Sequence, residues 1–123
     1  MILAGFCMIG LHQKVYAGVK ATLTLSNSTN FAVSKGVISS KPAGQEFFEQ
    51  VNLQPNQHYS KVLDVMGSLP TAYESWFIIS ASKGSTASSN YIHCAKQFSG
   101  GVGSVVSILR QDGKSCEILP IVN

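Results

Sequence analysis

Charge is what this chain has least of. Only 12% of its 123 residues are Asp, Glu, Lys or Arg, about half the share usual in soluble proteins. The formal net charge of +3 is too small a surplus to steer the chain toward nucleic acid or an anionic membrane. No apolar run approaches the ~20 residues that a membrane-crossing helix needs, and no stretch keeps a helical stripe of apolar residues. With three His and three Cys in all, the His93-Cys94 pair lacks the two further spaced ligands of a structural zinc site, so no metal or other cofactor is expected.

Ser and Thr stand where the missing charges would be. They compete with the helix backbone for hydrogen bonds, while Thr packs well on a pleated surface, so this substitution favours strands and turns. The chain is nevertheless 45% hydrophobic, enough to bury a core.

The first residues read as an export signal. An apolar run from Ile2 to Leu11 is followed by Val15-Tyr16-Ala17, with small residues suited to cleavage after Ala17. No Lys or Arg precedes the run, an element such signals ordinarily carry. A lipid-anchor reading of Cys7 is poor, because bulky Phe6 separates it from Leu3-Ala4-Gly5. The expected organisation is a signal peptide over residues 1–17 and one domain over 18–123, secreted or periplasmic, with no transmembrane span after cleavage. Removing Cys7 leaves Cys94 and Cys116 as an even pair, which an oxidising compartment would join. Closing that loop contributes about 3 kcal/mol in the chain-entropy model.

Turn signals recur at the intervals of antiparallel β-structure. Lys20 to Leu25 alternates polar and apolar, the 31–38 segment follows a polar turn, and Lys41-Pro42-Ala43-Gly44 breaks the chain. Glu46 to Leu53 reads as a strand with Phe47, Val51 and Leu53 on one side. Tyr59, Leu63 and Val65 share one side of the next strand. Ser75 to Ser82 is the strongest strand: Trp76 and Ile78 face one way, Phe77 and Ile79 the other, as in a central strand. The polar loop Lys83 to Asn90 precedes a strand over Tyr91 to Phe98. Asp112-Gly113 predicts a type I′ hairpin turn, with Leu109 opposite Cys116, Ser107 opposite Ile118 and Val105 opposite Pro120. In a simple meander, Cys94 and Cys116 would lie two strand spacings apart, too far for a bridge. A disulfide therefore requires either a link across two packed sheets or a non-sequential strand order. The expected fold is an all-β antiparallel sandwich of about seven strands with one disulfide.

Catalytic patterns are absent. No serine sits in a Gly-x-Ser-x-Gly elbow, and the acids Glu46, Glu49, Asp64, Glu74, Asp112 and Glu117 are scattered. Ser99-Gly100-Gly101-Val102-Gly103-Ser104 lacks the Lys-Ser/Thr ending of a phosphate loop and leads into a strand. Asn27-Ser28-Thr29 matches the N-glycosylation acceptor pattern. Aromatic residues beside polar ones suit a sugar ring, a lipid headgroup or a protein partner, which makes Tyr73 and Trp76 the candidate binding residues; the competing expectation puts Trp76 in the core. The function these features point to is a non-enzymatic exported binding module presenting loops to a protein, glycan or lipid partner at an envelope surface. The alternative is a small secreted hydrolase whose site assembles only in the fold, with His58 or His93 as base.

Overall fold

The computed structural model describes residues 19–41, 47–65, 67–80 and 90–121. The expected signal segment, the 42–44 break and the 83–89 loop lie outside them. Eight strands follow one another: β1 (Val19–Asn27), β2 (Val33–Lys41), β3 (Phe47–Leu53), β4 (His58–Val65), β5 (Ala72–Ile79), β6 (Asn90–Gln97), β7 (Ser104–Leu109) and β8 (Cys116–Pro120). They form two four-stranded sheets of order β4-β1-β7-β8 and β3-β2-β5-β6, here called sheets A and B. The chain is an all-β sandwich, with one strand more than the turn spacing predicts.

Alternation explains the layering. On β1, Ala21, Leu23 and Leu25 are buried, while β5 buries Tyr73, Ser75, Phe77 and Ile79 and leaves the residues between them half-buried. Such period-2 strands can bury one face only against another layer. The two inner faces supply Leu23, Leu25, Leu63, Val105, Leu109 and Ile118 from sheet A and Val33, Ile38, Phe48, Leu53, Phe77, Ile79 and Ile92 from sheet B. All ladders are antiparallel except β1 with β7, which run parallel.

The Cys94–Cys116 disulfide joins β6 to β8, with Cα atoms 5.8 Å apart. Both are edge strands, on the same side of the two sheets. Of the two routes open to a disulfide, the chain thus uses the cross-sheet link. Beside it, the Ser75 and Ser107 hydroxyls, both fully buried, form a 2.5 Å hydrogen bond between the sheets. Two facing serines satisfy one another where a single hydroxyl would be costly to bury.

Two local expectations are corrected. The β7–β8 register is the one expected, with Leu109 opposite Cys116, Ser107 opposite Ile118 and Val105 opposite Pro120. The turn, however, is not type I′, because Gly113 alone among its described residues has a positive φ (68°), whereas type I′ needs two. Gly113 N–H instead donates to the Arg110 carbonyl (2.9 Å), and the Asp112 carboxylate accepts from Lys114 N–H (2.8 Å). On β3, Phe48 faces inward while Phe47 and Val51 face out, and Leu53 returns to the core. The parity changes at Asn52, whose φ of 66° lies in the left-handed region. β2 has a bulge between Val33 and Lys35 at the same level, as expected where an extra residue flips a strand's faces.

Candidate functional site

The outer face of sheet B is a grid whose rows follow from the ladder registers. Val51, Lys35, Ile78 and Tyr91 form one row across β3, β2, β5 and β6; Glu49, Val37, Trp76 and His93 form the next; Phe47, Ser39, Glu74 and Ala95 the third. Trp76 is therefore next to Val37 across the ladder and to Ile78 along its own strand, and Ile78 is next to Tyr91. Tyr91 is 62% exposed, and Phe47 and Val51 on the edge strand are 59% and 53% exposed.

Polar groups frame this patch. Lys35 Nζ lies 3.6 Å from Glu49 Oε1, and His93 Nε2 lies 3.6 Å from Glu74 Oε1. The His93 ring stacks on the Trp76 indole, with centroids 5.3 Å apart and planes tilted by 30°. A shallow depression of about 170 Å³ is lined by Lys35, Val37, Trp76, Ile78 and Tyr91. A second, of about 260 Å³, is lined by Tyr91, Ile92, Gly113 and Lys114. Tyr91 is their common wall.

Tyr73 and Trp76 do not come together. They are three positions apart on β5, so their side chains leave opposite faces of the sheet. Tyr73 is fully buried, its hydroxyl donates to the Val102 carbonyl (2.6 Å), and its ring meets Phe98 edge-on at 6.2 Å. Burial pushes the Tyr73 phenol up to about 12, since the ionised form would lose its hydration. The strand begins at Ala72, three residues earlier than the Ser75 start that the sequence pattern implies, so Tyr73 lies within β5 and takes its inward side. Trp76 lies on the outer face, half-buried rather than in the core.

The two histidines lie on different sheets. His58 stands opposite Ser26 on sheet A, exposed, and His93 stands opposite Trp76 on sheet B. Among the described residues neither imidazole is hydrogen-bonded to a serine hydroxyl, and no group of three or more His, Cys, Asp or Glu gathers that could hold a metal.

Two motifs acquire structural roles. Asn27 is fully buried, and its Nδ2 donates to the carbonyls of Phe31, Leu53 and Gln54 at 2.8, 3.2 and 3.1 Å. Its Oδ1 accepts from the Thr29 N–H (3.0 Å) and hydroxyl (2.6 Å). A glycan on that nitrogen is incompatible with this packing; the acceptor pattern is a knot joining the β1–β2 and β3–β4 connections. The glycine-rich 99–104 stretch passes close over Leu69: a Cβ on Gly101 would lie 2.7 Å from the Leu69 Cβ, and Val102 N–H donates to the Pro70 carbonyl (2.8 Å). Its glycines permit a close approach of backbone rather than a phosphate cradle.

The fold and its aromatic outer face define a disulfide-clamped β-sandwich domain. No protein-family model and no curated protein matches the chain. Its fold is similar to that of a protein from Eubacterium rectale determined by NMR, with a TM-score of 0.53 at 16% identity over 83% of this chain and 90% of that one. Weaker likenesses are to pneumolysin (TM-score 0.43, 8% identity) and to a disulfide-locked mutant of intermedilysin with human CD59 (0.42, 10%). Each of these covers 85% of this chain but 24% of the other.

Proposed function

We propose that this chain is an exported, non-enzymatic binding module that engages its partner through the outer face of sheet B. The observation that carries the reading is the contiguous patch of Val37, Trp76, Ile78 and Tyr91, with Phe47 and Val51 exposed on the adjoining edge. A sheet face left apolar and aromatic, with ion pairs at its rim, has the anatomy of an interaction surface. Export is supported by the Ile2–Leu11 run with its Ala17 cleavage pattern and by the Cys94–Cys116 pairing, since structural disulfides belong to oxidising compartments.

The reading is tested by affinity capture from an envelope extract on immobilised protein. Trp76→Ala and Tyr91→Ala are expected to lose what the native chain retains, while Val62→Ala, on the outer face of sheet A, retains it. Equal retention by all four proteins would overturn the assignment to sheet B. Cell fractionation with intact-mass analysis tests export: a cytosolic chain that keeps residues 1–17 would refute it.

A further inference from the structure

Resting on that reading, we infer that the ligand is an acidic oligosaccharide, with one ring in each of the two depressions that share Tyr91 and its carboxylates directed to Lys35 and Lys114.

Size comes first. A cavity of about 150 Å³ holds a single benzene ring; the depressions here measure about 170 and 260 Å³ and are open to solvent on one side. Each suits one six-membered ring, and neither suits a long acyl chain. The walls come second. Trp76, Ile78 and Val37 give the first depression an apolar floor, and Tyr91 stands between the two. An aromatic face stacks against the C–H side of a sugar ring and leaves its hydroxyls to solvent or to polar neighbours. Glu74 and His93 are such neighbours on the same face.

Charge decides the class of sugar. Lys35 is the charged residue lining the first depression, and Lys114 the charged residue lining the second. Lys35 shares its ammonium with Glu49 at 3.6 Å. Lys114 has no ion pair among the described residues; the neighbouring Asp112 carboxylate is taken up by the Lys114 N–H (2.8 Å) and the Ser115 hydroxyl (3.5 Å). A polymer of rings with one negative charge per ring repeats the pattern the protein presents: ring site, cation, shared aromatic wall, ring site, cation. An extended peptide would instead be expected to add to a strand edge through its backbone.

Trp76 is the single tryptophan of the chain, so its fluorescence reports on this face directly. Titration with short oligogalacturonate is expected to change it saturably, and a neutral malto-oligosaccharide of equal length to bind at least about tenfold more weakly. Tyr91→Ala is expected to weaken oligogalacturonate binding by about tenfold. Lys114→Gln and Lys35→Gln are each expected to weaken it by about two- to fivefold, as exposed ion pairs do, and Lys61→Gln, which removes the same charge from β4, to leave it unchanged. Tyr91, Lys61 and Lys114 are exposed and Lys35 is half-buried on the outer face, so these variants are expected to fold, which circular dichroism checks.

Equal affinity for the neutral oligomer overturns the acidic assignment. Equal affinity for inorganic polyphosphate overturns the ring assignment. Quenching by phosphatidylglycerol vesicles with no response to oligogalacturonate overturns the glycan in favour of a lipid surface, and self-association through this face with no saccharide response overturns it in favour of a second copy. In these four cases Trp76 still reports an occupied face, and the binding-module reading survives. Failure of that reading has a different signature, capture that is indifferent to Trp76→Ala and Tyr91→Ala.

Discussion

The two outer faces of the sandwich are made from similar strands, yet they end up with different surfaces. On sheet A the strand β1 carries Lys20, Thr22, Thr24 and Ser26 on its outer side, with Thr24 covered by its neighbours, and this polar stripe separates Val62 on β4 from Val106 and Leu119 on β7 and β8. Its hydroxyls are used within the face: Thr24 shares a 2.7 Å hydrogen bond with Ser60, and Lys20 pairs with Asp64. On sheet B the central strands β2 and β5 present Val37, Trp76 and Ile78, whereas the central strands of sheet A present threonines on β1 and Val106 and Ile108 on β7. Sheet A thus gathers aliphatic residues, Val106, Ile108 and Leu119, to one side of the stripe and leaves Val62 on the other, while sheet B sets aromatic residues, Trp76 and Tyr91, beside its aliphatic ones.

The difference would be broken most severely if Trp76 proved to be a structural residue. Phe77, its neighbour on β5, points into the core and is fully buried; Phe77→Ala is expected to cost about 3–5 kcal/mol. Trp76→Ala, half-solvated in the native chain, is expected to cost about 1 kcal/mol. Urea unfolding followed by circular dichroism measures both. Comparable losses would make Trp76 part of the packing and remove the functional reading of sheet B.

The disulfide comes next. Replacing both Cys94 and Cys116 by Ala is expected to lower stability by about 3 kcal/mol. The loss is expected to be uneven in space. β6 is an edge strand that carries Tyr91 and His93, and the disulfide ties it to β8; β1 is held between β4 and β7. Hydrogen exchange is expected to accelerate more at 91–94 than at 21–25. Uniform acceleration would show that sheet B does not depend on the clasp locally.

Tyr73 separates the inner from the outer side of β5 in a third way. Tyr73→Phe deletes the bond to the Val102 carbonyl and is expected to cost about 1 kcal/mol. Because burial raises the phenol to about 12, the folded state favours the neutral form. Its contribution is complete below the unfolded value near 10 and fades as pH rises toward 12. Stability against pH, measured from 8 to 12 for both proteins, is expected to fall less steeply at the alkaline end in the phenylalanine variant.

These residues also show where the sequence was readable. The alternation on β5 and the pairing of β7 with β8 are local patterns, fixed by the pleat and by a short turn. The impossible span of a meander disulfide pointed to two packed sheets before any strand order was known. What escaped depends on distant parts of the chain. Nothing near Phe47 marks that Asn52 adopts a left-handed conformation, so the faces of β3 were read with the wrong parity. The burial of Tyr73 has no local mark, because the carbonyl that its hydroxyl serves, that of Val102, lies 29 positions away. The patch on sheet B needs three ladder registers at once, and only the Trp76 and Ile78 pair is visible from a single strand.

The smallest effects are expected from the surface ion pairs, and here the two faces should part most cleanly. Lys20–Asp64 on sheet A and Lys35–Glu49 on sheet B both cross neighbouring strands and are both about half exposed or more. Solvent screening limits each to a few tenths of a kcal/mol, so Lys20→Gln and Lys35→Gln are expected to shift thermal stability almost equally and by little. They are not expected to be equal in binding. The Lys35 ammonium borders the depression beside Trp76, while Lys20 faces a stripe of hydroxyls already engaged with one another. A partner that binds both variants with native affinity would mean that the charge beside the aromatic patch has no more functional weight than its counterpart on the opposite face.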